Sequence, residues 1–222
     1  MFERQRRRAS VTTPTTTLAP YVTLLGFARY VGRTGPSRAS FVQGLRRQRA
    51  SHSGFNPHSS LLKALKADIQ FRSGGSHLEQ VRTAVKPRWR PLHDILVPAT
   101  KDYLASLGDL NECQLVRTRD VIAFVSNLPV KINPQFGLRY ADGRAEAVRL
   151  VFDEQPPPQE AILATLHLMQ RHMDDILPGA EAVVVDVRRG QVHRPDPGTK
   201  PEQVEQWLAG EAAAFATMWD VA

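Results

Sequence analysis

The stretch GLRYADGRAEAVRLVF, Gly137 to Phe152, sets two acids, Asp142 and Glu146, among three arginines, Arg139, Arg144 and Arg149. Carboxylates brought together on paired strands can hold a divalent ion, and a nearby cation can help activate a water. Asp142-Gly143 is a strong signal for a two-residue hairpin turn. With Ala141 facing Arg144 across that turn, counting outward sets Arg139 opposite Glu146. Glu146, Val148, Leu150 and Phe152 then share a face with Arg139 and Gln135, and Arg149 falls on the other face beside Phe136 and Leu138. A carboxylate opposite an arginine is a poor metal ligand, and the pair reads as a cross-strand ion pair worth about 0.2–1 kcal/mol. Asp142 is explained by the turn, and Asp153 and Glu154 beside the triple proline read as a solvated strand end.

A second candidate acid is Glu211, at the centre of an apolar stripe of Val204, Leu208, Phe215 and Met218. A carboxylate placed there must be paired, because an unpaired buried charge costs several kcal/mol; Arg149, Arg188 or a backbone donor is the expected partner. Asp186, in the apolar run AVVVDVRR, calls for a neighbouring arginine in the same way. His167 and His172 are five apart and so do not share a helix face. His52, His58 and His77 sit in or near Gly/Ser/Asn loops and read as solvated, and the single cysteine, Cys113, reads as structural. No metal-ligand set, nucleophile elbow or phosphate-cradling Gly loop with Lys occurs, and RSGGS reads as a helix terminator.

The elements that must position these groups divide by charge. Residues 1–110 carry 18 Lys+Arg against 6 Asp+Glu, a balance of +12, and residues 111–222 carry 11 against 16, a balance of −5. Residues 1–17 combine a basic cluster with a Thr/Pro run and read as a disordered arm. Residues 18–97 read as helices broken at Gly and Pro, including SRASFVQGLRRQRA, SSLLKALKADIQF and HLEQVRTAV. The helical LHDILVPATKDYLASLG run, Leu92 to Gly108, leads from there into residues 98–222, whose character changes after Gly108. QLVRTRDVIAFVSNL, the alternating PVKINPQFGLRY, AEAVRLVF and EAVVVDVRR read as strands, Ile162, Leu166, Met169, Met173 and Ile176 mark a helix, and Thr199 with Glu202 is spaced as a capping box before a final helix.

The expected fold class is therefore α+β, a basic helical region followed by a mixed β-sheet domain of order αβββαβα. That order resembles the restriction-endonuclease-like fold of the PD-(D/E)XK nuclease superfamily over roughly residues 98–190. The resemblance implies an acid on the second strand and a Glu or Asp, one residue, then Lys on the third, with magnesium held between them. Glu146 matches the third-strand acid, but Val148 stands where Lys is required, and Asn133, Gln135 and Gly137 occupy the second-strand positions.

Catalytic residues are consequently not assigned; Glu146 and Glu211 are weak candidates, and magnesium enters only if the chain is a nuclease with a degenerate site. The leading expectation is non-enzymatic association with nucleic acid, DNA first, in the cytoplasm. Arg38, Arg46, Arg47 and Arg49 on the second helix would supply phosphate contacts, together with Lys86, Arg88, Trp89 and Arg90 of KPRWRP. The alternative is a protein-interaction or scaffold module, with a second copy of the chain or an acidic protein covering the basic half. No stretch is long and apolar enough to suggest a membrane partner.

Overall fold

A computed structural model of the chain describes residues 19–51 and 56–222, so the arm expected over 1–17, and His52, lie outside it. The fold is α+β. Strand β6 (Ala145–Val151) is buried along its whole length. It lies at the centre of a sheet ordered β2 (Cys113–Val116), β5 (Phe136–Tyr140), β6, β7 (Glu181–Asp186), β8 (Gln191–His193). Within this sheet β6 and β7 pair in parallel and the other neighbours antiparallel. The β6–β7 connection carries helix α6 (Gln159–Arg171), since parallel neighbours cannot be joined by a tight turn.

Both sheet faces are covered, and residues 18–97 contribute to both layers. Helix α1 (Leu24–Val31), α6 and α8 (Pro201–Val221) build one core, where Phe27, Tyr30 and Phe215 meet Ala147 and Val184. Helices α3 (Ser59–Phe71), α4 (Ser76–Ala84) and α5 (Arg90–Ser106) build the other, where Leu61, Leu65 and Leu96 meet Phe136, Val148 and Val185. Helix α2 (Pro36–Ala50) packs along α8. No helix among the described residues is long and apolar enough to cross a membrane.

Two expected strands are each divided. QLVRTRDVIAFVSNL holds β2 and β3 (Val121–Val125), and PVKINPQFGLRY holds β4 (Leu128–Ile132) and β5. Strands β3 and β4 form a hairpin in a separate sheet with the two-residue β1 (Val22–Thr23), closed where Val125 meets Leu128 and Ser126 takes φ 52°. The breaks fall at the polar Thr118-Arg119-Asp120 link and at Asn133-Pro134, where proline removes a ladder donor. Val130 and Ile132 therefore join the first core, while Phe136 and Leu138 join the second.

The β5–β6 hairpin forms, but its register differs by one residue from the two-residue turn expected. The Tyr140 amide donates to the Arg144 carbonyl at 2.9 Å and the Gly143 amide to the Tyr140 carbonyl at 3.0 Å. The loop is therefore the three residues Ala141-Asp142-Gly143, with Gly143 left-handed at φ 90°. Leu138 now faces Glu146 and Arg139 faces Ala145. A one-residue slip moves every side chain to the opposite face. Arg139 is exposed and is not Glu146's partner, and Arg149 shares the α6 face with Ala147 rather than lying beside Phe136 and Leu138. Asp142 keeps its turn role, accepting from the Arg144 amide at 3.0 Å.

The stripe from Ile162 to Ile176 is interrupted at His172, after which the single turn α7 (Met173–Ile176) follows. Helix α8 begins with Pro201 in its first turn as expected, but no side chain caps it, so the Thr199 and Glu202 capping box does not form.

The α3–α4 corner uses Asp68 in place of a local cap. Its fully buried carboxylate accepts from Ser73 Oγ at 2.6 Å, from the His77 amide at 3.0 Å and from the Leu78 amide at 3.0 Å. His77, expected in solvent, is thus half-buried with Nδ1 2.9 Å from Asp68 Oδ1, the oxygen that also accepts from Ser73 and the His77 amide. Burial opposes the charge on Asp68, but these hydrogen bonds outweigh it and hold the carboxyl below its ordinary range. Asp68→Ala orphans two amide donors at the start of α4 and is expected to destabilise the chain by about 1–3 kcal/mol in urea titration at neutral pH. Because the folded pKa is depressed, this contribution is complete above the unfolded value of about 4 and is lost as pH falls through the folded value. The gap between wild type and Asp68→Asn in urea titrations is therefore expected to narrow on acidification.

Candidate functional site

Glu146 is 4% exposed on the α5 side of the sheet, and its carboxylate is fully engaged. Arg194 Nη2 lies 2.6 Å from Oε1, while Tyr140 donates its hydroxyl to Oε2 at 3.1 Å. The other prong of Arg194 reaches Glu181 at 2.7 Å. Burial first, and then the Glu146 charge, push the Tyr140 hydroxyl well above its ordinary range, and the same two causes raise the Cys113 thiol. The arrangement is a buried carboxylate neutralised by an arginine from beyond β8, and Val148, two residues on, packs into the second core. Among the described residues, no three His, Cys, Asp or Glu side chains are grouped to hold a metal ion.

Glu211 is also paired, but by Arg38 rather than by Arg149, Arg188 or a backbone donor. Arg38 Nη2 donates to Oε1 at 3.1 Å, Nη1 lies 3.0 Å from Oε2, and the guanidinium stacks over Tyr30 at 5.2 Å. The same arginine donates from Nε to the Arg33 carbonyl at 2.6 Å. Asp186 meets its neighbouring arginine as expected, Arg189 at 2.8 Å. Asp153 is paired too, with Arg29.

The cations expected to meet nucleic acid are divided between internal and solvated roles. Arg46 donates to the Trp219 carbonyl at 2.8 Å and to the Ala222 carbonyl. Arg49 donates to the Ala19 carbonyl at 2.7 Å and lies over the rings of Tyr21 and Trp219. With Arg38 they fasten α2 to α8 and to the chain before α1. Arg47 stays on the exposed face, bonded to Gln43 at 2.6 Å. Lys86, Arg88 and Arg90 are exposed around the half-buried Trp89, with Arg88 5.6 Å from its ring centroid.

A second cationic feature is a groove of about 1070 Å³ between α3 and the facing ends of β2 and β5. Lys66 enters it from α3, and Arg117 and Arg119 from the link after β2. The link is held in place by the Arg119 amide, which donates to the Ile176 carbonyl at 3.0 Å. Gln135 closes the floor by acting as a ladder rung, its amide bonded to both the N–H and the C=O of Leu150. The one groove carboxylate, Asp120, is taken by Lys131 at 2.7 Å. Among the described residues Lys66, Arg117 and Arg119 have no carboxylate partner. Lys66 rests 6.0 Å from the Phe136 ring centroid, and partial burial lowers its pKa. This set is hidden in the sequence because Arg-Thr-Arg falls inside what reads as one long strand; the Arg-x-Arg spacing ahead of Asp120 is the available signal.

Arg194→Met leaves buried Glu146 with only a tyrosine, and is expected to cost about 1–3 kcal/mol after allowance for the 42% exposure of the arginine side chain. Arg139→Met is expected to stay within about 0.5 kcal/mol in the same urea titration. Comparison of the sequence with models of known protein families finds no match, and no curated protein compared with it is detectably similar.

Proposed function

We propose that the protein associates with nucleic acid, DNA first, without cleaving it, and that the phosphate backbone lies in the groove between α3 and the β2–β5 ends. The observation that carries this reading is the convergence of Lys66, Arg117 and Arg119 on one open groove, where no carboxylate among the described residues is ion-paired with them and Asp120 is held by Lys131. Such cations gain most from phosphates, which displace condensed counterions as they bind. The net charge of +7 adds a field of the right sign. Beyond the Arg119 link, β3 presents Ile122 at 60% and Phe124 at 72% exposure, apolar surface against which unstacked bases can rest. The solvated Arg47 and the Lys86–Arg90 segment extend the set of available cations. The run α5, β2, β5, β6, α6, β7 supports the likeness to the restriction-endonuclease-like fold, with β3–β4 as an insertion. Val148 in the lysine position supports association without cleavage.

The scaffold reading is favoured by the same exposed pair on edge strand β3, and the two separate by their salt dependence. Anisotropy of labelled duplex and single-stranded oligonucleotides is expected to show binding at about 50 mM salt that weakens steeply by about 200 mM. Reversing both groove arginines, Arg117→Glu with Arg119→Glu, is expected to lower affinity by about tenfold or more. No binding at low salt, or no response to charge reversal, overturns the proposal. Cleavage products that appear only with magnesium or manganese overturn its non-catalytic half.

A further inference from the structure

On the opposite face of the sheet from Glu146, beyond the carboxyl end of β6, lies a cavity of about 580 Å³. Its walls include the apolar Leu25 and Ala28 from α1, Phe41 from α2 and Ile162 from α6, and its floor is Val151, Val184 and Arg149. Arg149 is only 7% exposed. Its Nη1 donates to the Asn133 carbonyl at 2.7 Å, but Nε is buried with no acceptor, and no carboxylate among the described residues pairs with the side chain. The charge nearest in effect is another cation, Arg29, which adds to burial in lowering the Arg149 pKa to about 10. Asp186, on the same face two residues past Val184, the register partner of Arg149, is bonded to Arg189. A guanidinium with one prong occupied and the edge between Nε and Nη2 unfilled matches the two oxygens of a carboxylate. The lining carries Arg29, Arg33 and Arg149 against Asp153 and Glu154, a balance of +1 that a single negative charge cancels. The volume falls in the range of small-molecule sites, and open sheets of this kind take ligands at the carboxyl ends of parallel strands.

We infer that this cavity is a binding site for a small monocarboxylate with an apolar body, its carboxylate on Arg149 and its body against α1, α2 and α6. The site is separate from the groove and holds whether or not the protein binds nucleic acid. Octanoate and benzoate serve as probes, with octanol and octylamine as charge controls and inorganic phosphate as the competing anion. In calorimetric titration and thermal melts of the full chain, the carboxylates are expected to bind saturably and raise the melting temperature, and the alcohol and amine to bind about tenfold or more weakly. Arg149→Met removes an uncompensated buried charge, so the variant is expected to remain folded while losing carboxylate affinity by about tenfold or more. Ile162→Trp, which fills the cavity and leaves the charge, is expected to lose it as well. Equal response of wild type and Arg149→Met, no carboxylate binding at millimolar concentration, or an Arg149-dependent response to phosphate alone each overturns the assignment.

Discussion

Strand β6 has no solvent face. It pairs antiparallel with β5 on one side and parallel with β7 on the other, and helices close over it above and below. Any polar side chain on it must therefore find compensation inside the protein or from a ligand, because each buried, unpaired charge costs several kcal/mol. Two of its seven residues are charged, Glu146 and Arg149, and they point to opposite faces. Glu146 is matched by Arg194 and Tyr140, with the chain beyond β8 positioned so that one arginine spans Glu146 and Glu181. Arg149 has a single carbonyl acceptor and an apolar cavity in front of it. The contrast between these two positions is the main physical argument for where the molecule is structural and where it is open to a ligand.

The basic N-terminal half is shaped by a related constraint. Helix α2 offers little apolar surface, with Val42 as its only buried residue, so hydrophobic burial alone fixes it weakly. Arg38, Arg46 and Arg49 supply the attachment instead, through Glu211, C-terminal carbonyls and aromatic faces. The acidic character of the second half is therefore partly a response to the basic character of the first. Net charge overstates the field available to a partner, and the cations of the groove lie away from α2, in the link after β2 and on α3.

The helices were legible because apolar spacing and Gly/Pro breaks coincide with them, and α2, α3, α4 and α5 form where those signals place them. The hairpin was legible as a hairpin but not in its register. Asp-Gly permits both a two-residue turn and a three-residue loop ending in a left-handed glycine, and the choice lies in backbone hydrogen bonds that composition does not encode. That one-residue difference moved Glu146 from Arg139 to Arg194, a residue 48 positions away, and turned Arg149 toward α6. Strands β1 and β8, two and three residues long, carry too little periodicity to be seen. Asp68 capping α4 from the last turn of α3 was equally invisible, since the contact spans a tight corner rather than a local motif.

The two cationic features of this fold differ in the property that decides what they can bind. Arg117 and Arg119 are solvated, so a partner gains from them mainly through counterion release, and salt competes directly. That suits a long polyanion held by many weak, exchangeable contacts. Arg149 has already lost its hydration on folding, so the cost of desolvating the cation is met before any ligand arrives. A carboxylate reaching it would gain a charge-assisted hydrogen bond from a buried guanidinium, which bulk ions screen less than they do the solvated arginines. The two proposals thus differ in the salt dependence expected of them, and β6, buried along its whole length, divides the face that carries Arg149 from the face that carries Glu146.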